Sequence, residues 1–292
     1  MEFTTQHYPC SLCKNENGNT LFVKQDFPIV QCTQCGFVYV DPRVNDESLA
    51  KLYQHNYFQN KDYGYLNYDQ EKRLRIQNFN KWIEDAKPFI SAGKKVTALD
   101  VGCAAGYCLT VMKEKGWEAD GLELDEELCA ALQKNGLPVF NTPLEIFQPS
   151  KLYDVITLFD VFEHIPGVDK AFQKLGELLT GDGIVVMVTP DHNSLQRKLA
   201  GKKWFQYKPI EHIQYFTLDT LARFADRNGF EIIQHKRSGQ YADADFINNR
   251  LKYYRFTFLS TVFSKLTGLL RLKHKMFYTD TGSLFVVLKK IR

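Results

Sequence analysis

The sequence predicts an α/β protein: a seven-stranded sheet with helices on both faces, preceded by a small cysteine-rich ribbon. Two patterns carry this. From residue 96 onward, short apolar runs alternate with amphipathic stretches, the mark of strands alternating with helices in a covered, parallel sheet. At the other end, two Cys-x-x-Cys pairs fall within the first 35 residues. Composition agrees, with 44% hydrophobic and 24% charged residues in a chain of 292, which excludes a disordered or collagen-like chain. No run of eighteen apolar residues occurs, so no transmembrane helix is expected. Residues 1–9 lack an apolar core of the signal-peptide kind, and a cytoplasmic setting is the expectation. The net charge of +3, from 37 basic and 34 acidic side chains, is too small to argue for nucleic acid.

Cys10 and Cys13 are separated by eighteen residues from Cys32 and Cys35. Each pair offers two thiolates from one tight turn, and two pairs complete a tetrahedral sulfur shell, so the spacing predicts a zinc site. All four positions are filled, which makes the metal structural, with no position open for water. Gly36 permits the second turn. Residues 1–40 therefore read as a zinc ribbon with short strands at 21–23 and 37–40, too small to fold without metal. Asp41-Pro42 marks its end. Residues 41–93 form a helical, Tyr-rich connector or lid, helical at 46–52 and 71–90, with Tyr53, Tyr57, Phe58, Tyr63, Tyr65 and Tyr68 between.

Residues 94–292 form the larger domain. Its strands are predicted at 96–101, 118–124, 139–140, 153–159, 184–189, 230–235 and 283–289, and its helices at 109–115, 126–135, 170–179 and 217–228. This is a Rossmann-like order. Its core, over 95–235, is expected to be separate from the ribbon's.

The first strand runs into Asp100-Val101-Gly102-Cys103-Ala104-Ala105-Gly106, the turn where such sheets bind ligands. Gly102 and Gly106 allow close approach of the backbone. Glu123, 21 residues after Gly102, stands where a carboxylate accepts both hydroxyls of a ribose. A dinucleotide and S-adenosylmethionine share this layout. Asp100 separates them, because a carboxylate at the strand end repels a pyrophosphate and attracts an ammonium. Ala104 also stands where a dinucleotide fingerprint needs its middle glycine. The cofactor expected is S-adenosylmethionine.

With these motifs in view, residues 96–109, 121–125, 141–145 and 153–191 resemble the successive motifs of class I S-adenosylmethionine-dependent methyltransferases. The segment Tyr153-Asp154-Val155-Ile156-Thr157-Leu158-Phe159-Asp160-Val161-Phe162-Glu163-His164-Ile165-Pro166 is especially similar, and Gly229-Phe230-Glu231-Ile232 matches the penultimate strand. The resemblance covers about residues 95–235. The ribbon, the Tyr-rich connector and Glu211-His212 ahead of Phe216-Thr217 resemble a bacterial subgroup acting on sugars, cell-surface compounds or natural products. The resemblance implies that Asp100, Gly102, Cys103, Ala104 and Gly106 meet the methionine end of the cofactor. It places Glu123 and Leu124 at the ribose, Leu144 and Glu145 beside the adenine, and Asp160 and Val161 over the pocket. Ala104 departs from the family's usual glycine.

Methyl transfer is an in-line displacement whose acceleration comes largely from alignment, while a hydroxyl or carbon acid acceptor also needs a base. His164, after the fourth strand, and His212, after the fifth, are the catalytic candidates; an imidazole titrates near about 6.5. Each also has a bland reading, His164 as an ordering turn residue. The connection 190–216 is long for a compact domain, which marks lids and binding loops. It carries Arg197, Lys198, Lys202, Lys203, Trp204, Phe205, Tyr207 and Lys208, aromatic faces for a sugar ring or base and cations for phosphate. The alternative is a solvated loop packed by its own aromatics.

The activity expected is methyl transfer to an oxygen or carbon of a small-molecule or glycan acceptor, such as a nucleotide- or lipid-linked sugar. The turn Phe159-Asp160-Val161-Phe162 lacks the Pro-Pro-aromatic signature of amino-nucleobase methylases. The rivals are an RNA methyltransferase that uses the ribbon to hold RNA, and a non-catalytic scaffold that only binds the cofactor. Nucleic acid is not the expected partner. The segment 246–276 is basic, with no acidic residue, and places Leu259, Val262, Phe263, Leu266, Leu269 and Leu270 on one helical face. The expectation is a helix packed on the sheet or against a second copy. The sharper alternative is peripheral contact with the inner face of a membrane. Oligomeric state is not readable from the sequence.

Overall fold

The computed structural model describes residues 3–54, 72–91, 93, 95–253, 255–270, 272 and 275–291. Tyr57, Phe58, Tyr63, Tyr65 and Tyr68 of the connector, and Arg271 and Lys273 of the basic segment, lie outside these. The N-terminal part contains β1 (Thr5–Gln6), β2 (Gly18–Lys24), β3 (Phe27–Cys32), β4 (Val38–Val40) and β5 (Arg43–Val44). β2 and β3 form a hairpin through Gln25 and Asp26, both at positive φ (49° and 66°), the type I′ geometry that suits strand twist. In each Cys-x-x-Cys turn an amide closes back on the first cysteine: Lys14 N–H on Cys10 O at 2.8 Å and Gly36 N–H on Cys32 O at 3.1 Å. Both closing residues are left-handed, at φ 62° and 74°. The helices α1 (Asp46–Gln54) and α2 (Lys72–Ala86) follow.

The central sheet uses β6 (Thr97–Val101), β7 (Glu118–Leu122), β8 (Val139–Phe140), β9 (Tyr153–Phe159) and β10 (Leu179–Pro190). Between these lie α3 (Tyr107–Glu114), α4 (Glu126–Lys134) and α5 (Val168–Leu178). After β10 come α6 (Leu195–Ala200), β11 (Gln214–Tyr215), α7 (Leu218–Arg227), β12 (Phe230–Ala242), α8 (Ala244–Tyr253), α9 (Thr257–Leu269) and β13 (Phe277–Lys290). The seven strands lie in the order β12-β13-β10-β9-β6-β7-β8. Side chains alternate between two cores, as strand geometry requires. Leu99, Ile156, Leu158, Val185 and Met187 enter the core under α5 and α7. Ala98, Val155, Ile184, Val186 and Val188 enter the one under α2, α3 and α4. Both faces are covered, so the strands read as nearly unbroken apolar runs.

The sheet differs from the all-parallel expectation at one strand. β13 runs antiparallel to both β10 and β12. The chain leaves β12 and re-enters β13 at the same end of the sheet, so the return is a long hairpin rather than a crossover.

The expectation of a separate catalytic core is corrected by the packing. β11, from the 190–216 connection, pairs antiparallel with β4 of the ribbon. Phe37 is fully buried with ring centroids 5.5 Å from Phe216 and 5.4 Å from Phe224. Cys10, Leu12, Cys32 and Phe37 thus share one core with the sheet.

The segment 246–276 is also not a single helix packed on the sheet. It is two helices, α8 and α9, with Arg255 at φ 60° between them. α9 turns Ser260 inward, where it donates to Asn248 Oδ1 at 2.6 Å, with Phe263 and Thr267 half-buried, and leaves its leucines in solvent. Among the described residues, no helix is long and apolar enough to cross a membrane.

Candidate functional site

The four cysteines of the ribbon converge. Cys10 and Cys35 lie 3.5 Å apart, Cys13 and Cys32 lie 3.4 Å apart, and all four sulfurs fall within 4.8 Å of one another. A tetrahedral ion with metal–sulfur bonds of about 2.3 Å needs sulfurs roughly 3.8 Å apart. The donor set fits a metal ion, with Asn15 Nδ2 3.6 Å from Cys32 as an outer contact.

The second site is a cavity of about 1010 Å³ at the carboxyl ends of β6, β7 and β9. Its first half is acidic. Asp100 is buried and accepts from Thr157 Oγ1 at 2.6 Å. Burial pushes its carboxyl up to about 7, against the Thr157 and Cys108 bonds. Gly102 has φ 70°, and a Cβ there would stand 2.7 Å from Val161 Cγ2, so only glycine allows the turn to pass under Val161. Ala104 takes the left-handed conformation at φ 48°. Glu123 holds the turn: Oε2 accepts from Ala104 N at 2.8 Å, and Oε1 accepts from Leu124 N and Asp125 N at 2.8 and 2.9 Å. Burial raises Glu123 against these amides. Oε1 is filled by its two amides, while Oε2 keeps a further lone pair for a ligand hydroxyl. Cys103, Leu124, Leu144 and Glu145 also line this half, with Leu144 buried. Gly106 does not line it. It caps α3 at φ 72°, where a Cβ would meet Leu132 at 2.8 Å.

The second half is built by the turn after β9 and by the 190–216 connection. Asp160 sits at φ 55°, and its buried Oδ1 has no hydrogen-bond partner. Burial raises it to about 6, opposed by Arg75 and Lys208. His164 and His212 stand edge to face with ring centroids 4.7 Å apart. His164 Nδ1 is 2.8 Å from the Tyr53 hydroxyl. Burial lowers His164 to about 4 and holds His212 well below its ordinary value. Glu163, only 1% exposed, accepts from Thr189 Oγ1 at 2.9 Å, and burial with the Asp160 charge lifts it to about 8.

Residues 65–235 match the family described as "Methyltransferase domain", more than half of the 292-residue chain. The chain belongs to this methyltransferase family. Among curated proteins it is similar to the ubiquinone biosynthesis O-methyltransferase of Rickettsia typhi, 28% identical over 154 residues, 50% of this chain and 61% of that one. The corresponding protein of Leptothrix cholodnii is 26% identical over 176 residues, 55% of this chain and 73% of that one. The chain thus spans less than two thirds of the first relative's length. Among solved structures, the plantazolicin methyltransferase BpumL in complex with SAH superposes with a TM-score of 0.52 at 17% identity, over 84% of this chain and 94% of that one. A SAM-dependent methyltransferase from Archaeoglobus fulgidus gives 0.51 at 16% identity, over 76% and 99%. At these identities the likeness is one of fold. By family and architecture the protein carries a methyltransferase domain, preceded by a cysteine cluster able to hold a metal ion.

The methyltransferase cavity also holds residues that the sequence did not mark. Lys24 arrives from the β2–β3 hairpin, Arg75 and Asn78 from α2, Tyr241 from β12, and Phe246 and Arg250 from α8. None belongs to a local motif; only the tertiary fold brings them together. Of the loop aromatics, Phe205 and Tyr207 reach the cavity wall. Trp204 does not: it is fully buried with Ile29, Val38, Val40 and Leu52 in the seam between ribbon and loop. His192, Nε2 2.8 Å from the Tyr207 hydroxyl, orders the same seam.

Proposed function

We propose that the protein transfers a methyl group from S-adenosylmethionine to an oxygen or carbon of a small-molecule or glycan acceptor, with a nucleotide- or lipid-linked sugar as the class its walls suit. The observation that carries this is the two-part cavity. An acid-lined half at the sheet joins a half walled by Lys24, Arg75, Lys208 and Arg250 and by Tyr53, Phe205 and Phe246. Cations suit a phosphate-bearing acceptor, and rings suit a sugar or base. The O-methyltransferase names of the curated relatives support an oxygen acceptor.

When bound, S-adenosylmethionine supplies a methyl group on a sulfonium that leaves readily. Asp100 faces the ammonium. The Gly102, Cys103 and Ala104 backbone passes beneath the methionine end, and Gly106 starts the helix behind it. Glu123 and Leu124 take the ribose, Leu144 and Glu145 flank the adenine, and Asp160 and Val161 close the pocket. His164 and His212 activate the acceptor. Both are neutral near pH 7, so each offers a lone pair rather than a charge. The metal at Cys10, Cys13, Cys32 and Cys35 is zinc with a structural role. The exposed apolar face of α9, with its basic surroundings, contacts anionic lipid and brings the enzyme to a lipid-linked acceptor at the inner face of a membrane.

The test is a transfer screen with labelled cofactor against nucleotide-sugars, polyprenyl-linked glycans and RNA. Label in a sugar acceptor is the expected result. Label in RNA would replace this reading with an RNA methyltransferase, and failure to bind S-adenosylhomocysteine would favour a non-catalytic scaffold.

A further inference from the structure

Three buried polar atoms around the acceptor half of the cavity have no hydrogen-bond partner: Asp160 Oδ1, Glu163 Oε1 and His212 Nδ1. Folded proteins rarely leave such atoms unmatched, and a bound ion is one of the recognised reasons. Glu163, His164 and His212 each offer a ligand atom, and these atoms lie within 4.8 Å of one another. Bonds of about 2.1 Å put donors up to roughly 4.2 Å apart across one ion, so the set needs only a small closure. Two of the donors are also held from behind. Thr189 donates to Glu163 Oε2 at 2.9 Å, and the Tyr53 hydroxyl sits 2.8 Å from His164 Nδ1. Outer contacts of this kind orient metal ligands. Of the cations facing this half, Lys24, Arg75 and Lys208, the last is paired with Glu211 at 3.5 Å.

We propose that Glu163, His164 and His212 bind a divalent transition-metal ion that holds two adjacent oxygens of the acceptor, as in a vicinal diol or a hydroxy ketone. The proposal rests on reading this half of the cavity as the acceptor's, and it gives the two imidazole lone pairs their partner. Two histidines and a carboxylate suit Mn²⁺, Fe²⁺, Co²⁺ or Zn²⁺ and leave coordination positions open. One acceptor hydroxyl gives its proton to water on binding the ion. Its oxygen then forms the new O–CH₃ bond as the S–CH₃ bond breaks, and the electron pair leaves on the sulfur of S-adenosylhomocysteine.

The test is titration of the full-length protein, its four-cysteine site loaded with zinc, with Mn²⁺ followed by the free-ion electron paramagnetic resonance signal. One Mn²⁺ per chain is expected beyond the zinc. Glu163→Gln and His212→Asn should each weaken it at least tenfold, and Tyr53→Phe about tenfold. Calorimetric affinity for S-adenosylhomocysteine identifies the variants that keep their fold. No Mn²⁺ or Co²⁺ bound by the wild type, or affinity unchanged in both Glu163→Gln and His212→Asn, overturns the site. Methyl transfer by wild type that binds no ion overturns the ion while leaving the proposed function standing. An ion bound without transfer supports the site and counts against that function.

Discussion

Ala104 stands at φ 48°, a conformation that costs an alanine about 1–2 kcal/mol. It is held there because its amide donates to Glu123 Oε2 at 2.8 Å. Ala104→Gly should relieve that strain and return about 0.4–1 kcal/mol to the unfolded chain as extra freedom. The expected net result is stability unchanged or raised by up to about 1.6 kcal/mol in urea unfolding. A loss of more than about 1 kcal/mol would show that the methyl group packs productively. Asp100 gives a second prediction at this scale. Burial raises its carboxyl to about 7, so the neutral acid prevails below that pH and the carboxylate above it. Only the carboxylate attracts the cofactor's ammonium. Affinity for S-adenosylhomocysteine should therefore rise about tenfold from pH 6 to pH 8. Asp100→Asn should weaken binding by about 1.5–3 kcal/mol and flatten the profile; a flat wild-type profile would remove Asp100 from the ammonium. These residues were legible in the sequence because they belong to short motifs at strand ends. Arg75, Tyr241 and Arg250 were not, since each joins the cavity from an element whose local pattern speaks only of helix or strand.

At the scale of elements, the strands were the most readable part, because burial on both faces leaves nearly continuous apolar runs in β9 and β10. The pairing of β11 with β4 was hidden. Gln214 and Tyr215 form a strand too short for any periodicity, and their partners Tyr39 and Val38 lie far away in sequence. That pairing ties the ribbon's fate to the catalytic core. Phe37→Ala should cost about 3–5 kcal/mol, the range for truncating a buried ring. Amide exchange should then accelerate at 214–216 as well as in the ribbon. If the four cysteines hold zinc as proposed, stripping it with a chelator should produce the same joint loosening. Faster exchange confined to residues 3–44 in both experiments would mean that the shared core contributes little.

For the whole molecule, the question is what covers α9. The sequence grouped its apolar and polar residues on two faces, but the inward side takes Ser260, Phe263 and Thr267 from both. The structure buries Ser260 against α8 and exposes Phe258, Leu259, Leu266, Leu269 and Leu270, Leu269 at 81%. This helix sits beyond the far end of the β12–β13 hairpin, away from the sheet's cores. Its neighbourhood carries Arg250, Lys252, Arg255, Lys265 and Lys275, with no acidic residue between Asp245 and Asp280. Exposed apolar side chains in a segment rich in cations match an anionic lipid surface, where each cation near it contributes about 1 kcal/mol and the contribution decays within a Debye length. Arg250 also lies on the cavity wall, 4.2 Å over the Phe205 ring, so α8, against which Ser260 of α9 packs, borders the cavity. Liposome co-sedimentation should therefore show binding that rises with anionic lipid and falls with salt. Leu266→Gln with Leu269→Gln should abolish it while S-adenosylhomocysteine affinity stays unchanged, because neither residue touches the cofactor half. Absence of sedimentation with anionic liposomes at low salt would instead point to a second protein surface over α9, and concentration-dependent mass measurements would then show whether that surface is another copy of the chain.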